Sequence, residues 1–413
     1  MARFVRWFSE LGIEDVPLVG GKNASLGEMV RSLSARGVRV PDGFAITAEA
    51  YRHVLDRAGA WAALHEALDG LDAADVEDLA RRGARAREIV HNAPFPDDLR
   101  AEILEAYAQL RQRYGREVGV AVRSSATAED LPGASFAGQQ ETFLNVHGEQ
   151  ALIEACGRCF ASLFTDRAIH YRIDKGFDHF KVALSIGVQK MVRSDLAASG
   201  VMFTVDTESG FPDVVFVTGA YGLGENVVQG AVDPDEFYVH KPTFEKGFRA
   251  VLGRRLGAKK IKMVLRQGRV GATTRNVPTS PEERERFCIP DEDVLQLAAY
   301  ALEIERHYSE RAGHWQPMDI EWAKDREDGL LYIVQARPET VVSQRDATVL
   351  ETWHKRGDGE VLCTGRAVGT SVAQGRARII GGLSELSRLQ DGEVLVADTT
   401  TPDWEPVMER AAA

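Results

Sequence analysis

Cysteine is scarce in this chain: four residues in 413. That is too few for a disulfide framework, and it fits a reducing cytoplasm. Cys156 and Cys159 form a C-x-x-C, but within an apolar helical pattern and with no second Cys or His pair nearby. Buried helix cysteines are the expectation there, not a zinc site. Long apolar runs are absent too. No uncharged stretch approaches membrane-spanning length, so a membrane partner is not expected. The opening Met1-Ala-Arg-Phe-Val-Arg-Trp-Phe has no long apolar core leading to a small-residue cleavage site. Basic residues are outnumbered, 50 Lys and Arg against 62 Asp and Glu, for a net charge of −12. A chain with that balance has no overall positive field to attract a nucleic-acid backbone or an anionic membrane.

What is present is the composition of an ordinary globular protein, 44 % hydrophobic and 27 % charged. The length allows two or three domains at about 100–200 residues each.

The stretch with the clearest chemical pattern runs from Gln316-Pro-Met-Asp-Ile-Glu-Trp-Ala-Lys, through a charged turn ending in Gly329, to Leu330-Leu-Tyr-Ile-Val-Gln-Ala-Arg-Pro338. Both arms read as strands, and the turn predicts a hairpin. Asp319 and Glu321 are two apart and share a face, as do Gln335 and Arg337. With Glu321 opposite Gln335, Asp319 falls opposite Arg337. One face then offers carboxylate and amide oxygens, which suit Mg²⁺, beside a guanidinium, which suits phosphate. A surface hairpin carrying a cross-strand ion pair is the plainer account on spacing alone.

Three further segments bear on that choice. Gly20-Gly21-Lys22 predicts a turn, with a helix after it that puts Leu26, Met29, Val30 and Leu33 on one face. A lysine just ahead of a helix N-terminus can hold an anion. The spacing is not that of a Walker A loop. Val118-Gly-Val-Ala-Val-Arg-Ser-Ser predicts a strand ending at Arg123, and a small-residue loop follows, up to Glu141. Such a loop lets backbone N–H groups approach a phosphate closely. Lys181–Val192 predicts a buried strand interrupted by Gln189-Lys190, the mark of either a site or a sheet edge. Elsewhere, residues 47–115 predict helical scaffold. Strands are expected at 199–206, 214–218, 233–239 and 259–264, and a long helix after Pro290. Gly222-Leu-Gly224 is a fragment of a glycine-rich motif. Residues 339–352 read as a linker, followed by β structure with glycine bends, a strand at 391–397 and a helix from Thr401.

Six segments together carry a resemblance. Val19-Gly-Gly-Lys-Asn-Ala-Ser-Leu-Gly-Glu-Met, Val122-Arg-Ser-Ser-Ala-Thr-Ala-Glu-Asp, Ala134-Ser-Phe-Ala-Gly-Gln-Gln-Glu-Thr, Asp235-Glu-Phe-Tyr-Val-His-Lys-Pro, Met318-Asp-Ile-Glu-Trp-Ala and Ile333-Val-Gln-Ala-Arg-Pro-Glu-Thr closely resemble the phosphoenolpyruvate synthase (pyruvate, water dikinase) family, in order along essentially the whole chain. The resemblance implies an α/β (α+β) chain. Residues 1–342 would be an ATP-grasp nucleotide-binding domain of two subdomains with an ATP cleft between them. Residues 343–352 would be a linker, and 353–413 the start of a β-rich swivelling phosphohistidine domain. In that family ATP phosphorylates a histidine, and the phosphoryl group is carried to pyruvate, releasing AMP and phosphate.

By the same resemblance, Lys22 and Arg123 match positions that contact the ATP phosphates. Gly138 and Thr142 match contacts of the lid loop, and Gln189 a residue near the adenine. Glu321 and Gln335 match metal and ATP contacts, Arg337 a catalytic phosphate-binding arginine. Asp319 shares their motif as a third metal candidate. The implied cofactors are ATP and Mg²⁺. The family's transfer histidine lies in a Thr-x-x-Gly-Gly-x-x-x-His-Ala-Ala segment, expected shortly after Thr401-Pro-Asp-Trp-Glu-Pro-Val-Met and not among the ten histidines here. The chain is therefore expected to bind ATP·Mg²⁺ and to reach pyruvate only through further domains. A homo-oligomer stays open. So do two other readings: an ATP-grasp phosphotransferase with another acceptor, of the rifampicin phosphotransferase or pyruvate, phosphate dikinase type, and a non-catalytic nucleotide-binding module.

Overall fold

A computed structural model describes residues 3–72, 75–127, 141–266 and 273–340, and beyond these 354, 356–357, 359–361, 364–365, 372–398, 400, 404–408 and 410–413. The expected linker at 343–352 and the loop residue Gly138 lie outside the described residues.

The first half of the chain alternates a few strands with many helices. In order they are β1 (Val5–Trp7), α1 (Val16–Leu33), β2 (Gly43–Ile46), α2 (Ala48–Ala58), α3 (Trp61–Leu68), α4 (Val76–His91) and α5 (Asp97–Tyr114). Then come β3 (Val120–Ala126), β4 (Thr142–Val146), α6 (Glu149–Ala161), α7 (Asp166–Asp174) and β5 (Leu184–Lys190). The strands form one antiparallel sheet in the order β1-β2-β5-β3-β4. The predicted helical stripe Leu99, Ile103, Tyr107 and Leu110 is buried on α5. It joins a core shared with Phe44, Ile46, Val122, Ile186 and Val188 of the sheet. Cys156 and Cys159 are fully buried on α6 among these residues, and burial pushes both thiols well up.

The second half is richer in strand. It runs β6 (Ala198–Phe203), β7 (Val214–Tyr221), α8 (Glu225–Val228), β8 (Asp235–His240), α9 (Lys241–Glu245), β9 (Val251–Arg255), β10 (Ile261–Leu265) and β11 (Thr274–Pro278). After α10 (Pro281–Arg284) and α11 (Asp291–Ala312) come the hairpin strands β12 (Met318–Lys324) and β13 (Leu331–Pro338). Six of these strands make a second antiparallel sheet, β13-β12-β6-β7-β8-β9, while β10 and β11 form a separate ribbon. Strands β9 and β11 were not expected from the sequence. Val294, Leu297, Ala301, Ile304 and Tyr308 line the buried face of α11, as their spacing predicts. Three acidic residues open α11, and Gly313 ends it at φ 74°.

Helix α1 belongs to both halves. Val19, Leu26, Met29 and Leu33 pack into the core of the second sheet. Its polar face meets the first sheet: the Asn23 amide donates to Ser185 Oγ on β5 at 3.0 Å, and the Asn23 N–H donates to Ser125 Oγ on β3 at 3.3 Å. The expected turn at Gly20–Lys22 is narrower than predicted. The helix already begins at Val16 and only Gly20 leaves helical geometry, at φ 72° and ψ 165°. A Cβ there would run into the Ser125 hydroxyl and carbonyl, which is why glycine stands at the kink.

Toward the C-terminus, β14 (Ala377–Ile379) pairs in parallel with β15 (Val394–Val396), and α12 (Glu405–Met408) follows. Ile380, Leu386, Leu389, Trp404 and Val407 form a small core of their own. The molecule is thus a mixed α+β protein with several sheets. No described helix is long and apolar enough to cross a membrane.

Candidate active site

The hairpin has the register its spacing predicts. Met318 pairs with Pro338, Asp319 with Arg337, Ile320 with Ala336 and Glu321 with Gln335. A β-bulge follows, where the pairing passes to Trp322 with Ile333 and leaves Val334 without a partner on β12. Trp322 anchors the strand: it is buried, and its indole N–H donates to Thr218 O at 3.1 Å.

A cleft of about 850 Å³ is lined by residues of both large sheets. Lys22 enters it from α1, Arg123 from β3, Thr142 from β4 and Gln189 from β5. Glu321 comes from β12, and Gln335 and Arg337 from β13. Seven of the predicted site residues, spread from position 22 to position 337, are thereby brought to one cavity. Asp319 is not among the lining residues; its carboxylate is taken up by Arg337, which donates from Nε and Nη2 to Oδ2 at 2.9 and 2.7 Å. Strand β5 is the middle strand of its sheet, so Gln189-Lys190 does not mark an edge.

The electrostatics follow from the crowding of charge. Arg123 Nη1 lies 3.6 Å from Glu321 Oε2 and donates to the bulge carbonyl of Val334 at 3.3 Å. Its Nε is buried without a hydrogen-bond partner among the described residues. Burial pushes the Asp319 carboxyl above its ordinary 3.8, the Arg337 charge opposes this, and Glu321 and Glu339 add to the rise. Glu225, at the start of α8, also lines the cleft. Burial raises its carboxyl too, with Arg123 pulling it down and Glu321 pushing it up.

One end of the cleft is apolar. Ala121, Leu144, Met191 and Leu223 are buried together, with Met263 and Leu265 of the β10 strand packed against them. Gln189 is 3 % exposed there, and its Nε2 is buried with no hydrogen-bond partner among the described residues. A flat heterocycle with ring nitrogens or a carbonyl suits that surface and that unmet donor. The other end, with Lys22, Arg123 and Arg337, suits a polyanion.

Sequence reasoning missed several lining residues. Glu225 directly follows the Gly222-Leu-Gly224 fragment, which was too short a signal to use. Arg158 on α6 and Arg167 on α7 line the cleft from the helical layer, and Arg158 stacks over the Phe143 ring at 4.4 Å. No motif marks either arginine. Among the described residues, no group of three or more His, Cys, Asp or Glu side chains forms a ready-made metal site. A magnesium ion held chiefly by a nucleotide's phosphates needs only one or two protein oxygens, and the Glu321–Gln335 pair is a donor set of that kind.

Comparison with known families bears on the same residues. The family model described as pyruvate phosphate dikinase, AMP/ATP-binding domain, matches residues 16–357. The chain belongs to this family. Every site residue above falls inside the matched region. Among curated relatives, the phosphoenolpyruvate synthase of Synechocystis sp. is 55 % identical over 99 % of this chain and 50 % of its own length. Those of Helicobacter pylori and Escherichia coli are each 52 % identical, over 100 % and 99 % of this chain and 52 % and 51 % of their own lengths. The chain spans about half the length of these relatives.

Proposed function

We propose that residues 1–342 form an ATP-grasp domain, with the two antiparallel sheets as its subdomains and the cleft between them as the ATP site. The chain would then be the ATP-binding phosphotransferase part of a phosphoenolpyruvate synthase. Residues 353–413 would belong to a swivelling phosphohistidine domain. The observation that carries this reading is the convergence of Lys22, Arg123, Glu321, Gln335 and Arg337 on one cleft from three segments distant in sequence: α1, β3 and the β12–β13 hairpin.

In this reading the adenine lies against Met191 and Leu223, with the Gln189 amide donating to it. Lys22, Arg123 and Arg337 neutralise the phosphates, and Thr142 would add a contact to them; the other expected contact, Gly138, lies outside the described residues. Glu321 and Gln335 would hold Mg²⁺, and Asp319 would serve through its hold on Arg337 or as a further ligand. Bound there, Mg²⁺ would supply positive charge against the phosphates. The protein contributes alignment and charge and needs no covalent step of its own. The acceptor would be a histidine imidazole, unprotonated and nucleophilic near neutral pH. The summed reaction would convert ATP, pyruvate and water to phosphoenolpyruvate, AMP and phosphate, with pyruvate handled outside the residues described.

Titration calorimetry of the chain with ATP, with and without Mg²⁺, tests the reading. Saturable binding strengthened by Mg²⁺ is expected. Well-folded protein that gives no binding heat with ATP overturns it.

A further inference from the structure

We propose that Ser25 is a positioning residue for phosphoryl transfer, tying the helix that carries Lys22 to the strand that carries Gln335 and Arg337. The proposal rests on the nucleotide-binding reading above. Ser25 is buried on α1, one turn beyond Lys22. Its Oγ lies 2.6 Å from the Ala336 carbonyl and 2.7 Å from the Tyr308 hydroxyl. Ala336 stands between the two site residues of β13.

The protons in this cluster have one consistent arrangement. A backbone carbonyl only accepts, so the single Ser25 hydroxyl proton goes to Ala336 O. Tyr308 then donates its own proton to Ser25 Oγ at 2.7 Å, with the Ser25 backbone carbonyl as a longer second acceptor at 3.4 Å. Tyr308 comes from α11, where the neighbouring His307 and Arg311, one turn on, continue the contact. Glu28, three residues beyond Ser25, is buried and accepts from His307 Nε2 at 2.7 Å and from Arg311 Nη1 at 3.2 Å. Ser25 is thus oriented from behind and points its donor at the strand.

The geometry of β13 explains why a tether there matters. β13 is the outermost strand of its sheet, so one side of its backbone has no strand neighbour. Val334 is already displaced by the bulge, and its carbonyl is held by Arg123. Arg123 and Ser25 therefore grip the backbone on either side of Gln335. Releasing the Ser25 contact frees the segment that carries Arg337 to shift relative to Lys22. Both residues face the same cleft, so a small shift alters alignment more than it alters binding.

Three measurements on the full chain test this: ATP·Mg²⁺ affinity by calorimetry, the rate of phosphoryl transfer to a histidine-domain acceptor supplied in trans, and the unfolding midpoint. Ser25→Ala should keep ATP affinity within about threefold while the transfer rate falls roughly 10- to 100-fold. Tyr308→Phe, which leaves the Ser25 bond but removes its orientation, should give a smaller loss in the same direction. A Ser25→Ala protein that transfers at the wild-type rate, or loses affinity and rate in equal measure, overturns the proposal. If Ser25→Ala does not fold, Tyr308→Phe decides: a wild-type transfer rate overturns the proposal, a selective loss of rate supports it. Wild-type protein that binds no ATP overturns the nucleotide-binding reading itself, a separate outcome.

Discussion

Arg337 and Asp319 face one another across the hairpin, and one oxygen of Asp319 accepts both Nε and Nη2 of Arg337, at 2.9 and 2.7 Å. The pair fixes the guanidinium at the rim of the cleft, while burial works against the carboxylate that holds it. Arg337→Ala would remove the proposed phosphate contact and leave a half-buried carboxylate without its counter-charge. Loss of a hydrogen bond to a charged group, about 1.5–3 kcal/mol, predicts roughly tenfold to a hundredfold weaker action on the nucleotide. Asp319→Asn keeps an acceptor for Arg337 and should lose less. Phosphoryl-transfer rates of the two variants, compared side by side, check the order; a larger loss in Asp319→Asn would instead make Asp319 a direct metal ligand.

Mg²⁺ dependence should reside in Glu321. Coupling between two ligands at one site typically amounts to about 5- to 150-fold in affinity. Wild-type protein is expected to gain ATP affinity of that order when Mg²⁺ is added, and Glu321→Ala should lose most of the gain. Glu321 also lies 3.6 Å from Arg123, so its removal frees that guanidinium for phosphate. ATP affinity without Mg²⁺ should therefore hold or rise in the variant. Calorimetry under both conditions reads the two opposite effects.

Gly20 should be intolerant of a side chain for two separable reasons. Its φ of 72° with ψ 165° is a conformation essentially confined to glycine and costs an L-residue about 1–3 kcal/mol, and a Cβ would meet Ser125. Gly37 has φ 91° and ψ −2°, the left-handed helical region, with nothing within 4 Å of where a Cβ would stand, so Gly37→Ala carries a milder backbone cost and no clash. Gly20→Ala should lower the urea midpoint more than Gly37→Ala. It should also weaken ATP binding, because Lys22 lies two residues along the same helix. Equal midpoints for the two variants would count against a close packing role for the kink.

Glu225 gives the apo protein a pH dependence of known sign. Its carboxyl is raised above 4.5 in the fold, chiefly by burial, so the folded state keeps a proton that the unfolded chain has lost. Stability contributed by this group therefore declines as pH rises from 4.5 through the raised value. Glu225→Gln removes the decline. Urea unfolding of both proteins across that range should give a flatter curve for the variant, and parallel curves would refute the assignment.

Local chemistry made part of this protein legible in one dimension. The hairpin register follows from the period of two in a strand and the charged Gly-ended turn, and the observed pairing of Glu321 with Gln335 follows it. The stripe on α11 follows from helical spacing in the same way. These patterns involve near neighbours, whose geometry the backbone dictates. The bulge at Val334 was not legible, because it depends on Arg123, 211 positions away, bonding to that carbonyl. The helical turn of α1 ahead of the Gly20 kink was missed for a like reason: Val16 and Val19 of that turn pack into the core of the second sheet, a contact no local pattern marks. Strand β9 lacks an apolar run and exists because β8 offers it an edge. The sequence by itself determined which strand and helix faces the candidate side chains occupy. Only the tertiary structure decided that Lys22, Arg123, Gln189, Glu321, Gln335 and Arg337 share one cleft and that Glu225 joins them. That meeting depends on how two sheets pack around one helix, and long-range packing leaves no periodic trace in the chain.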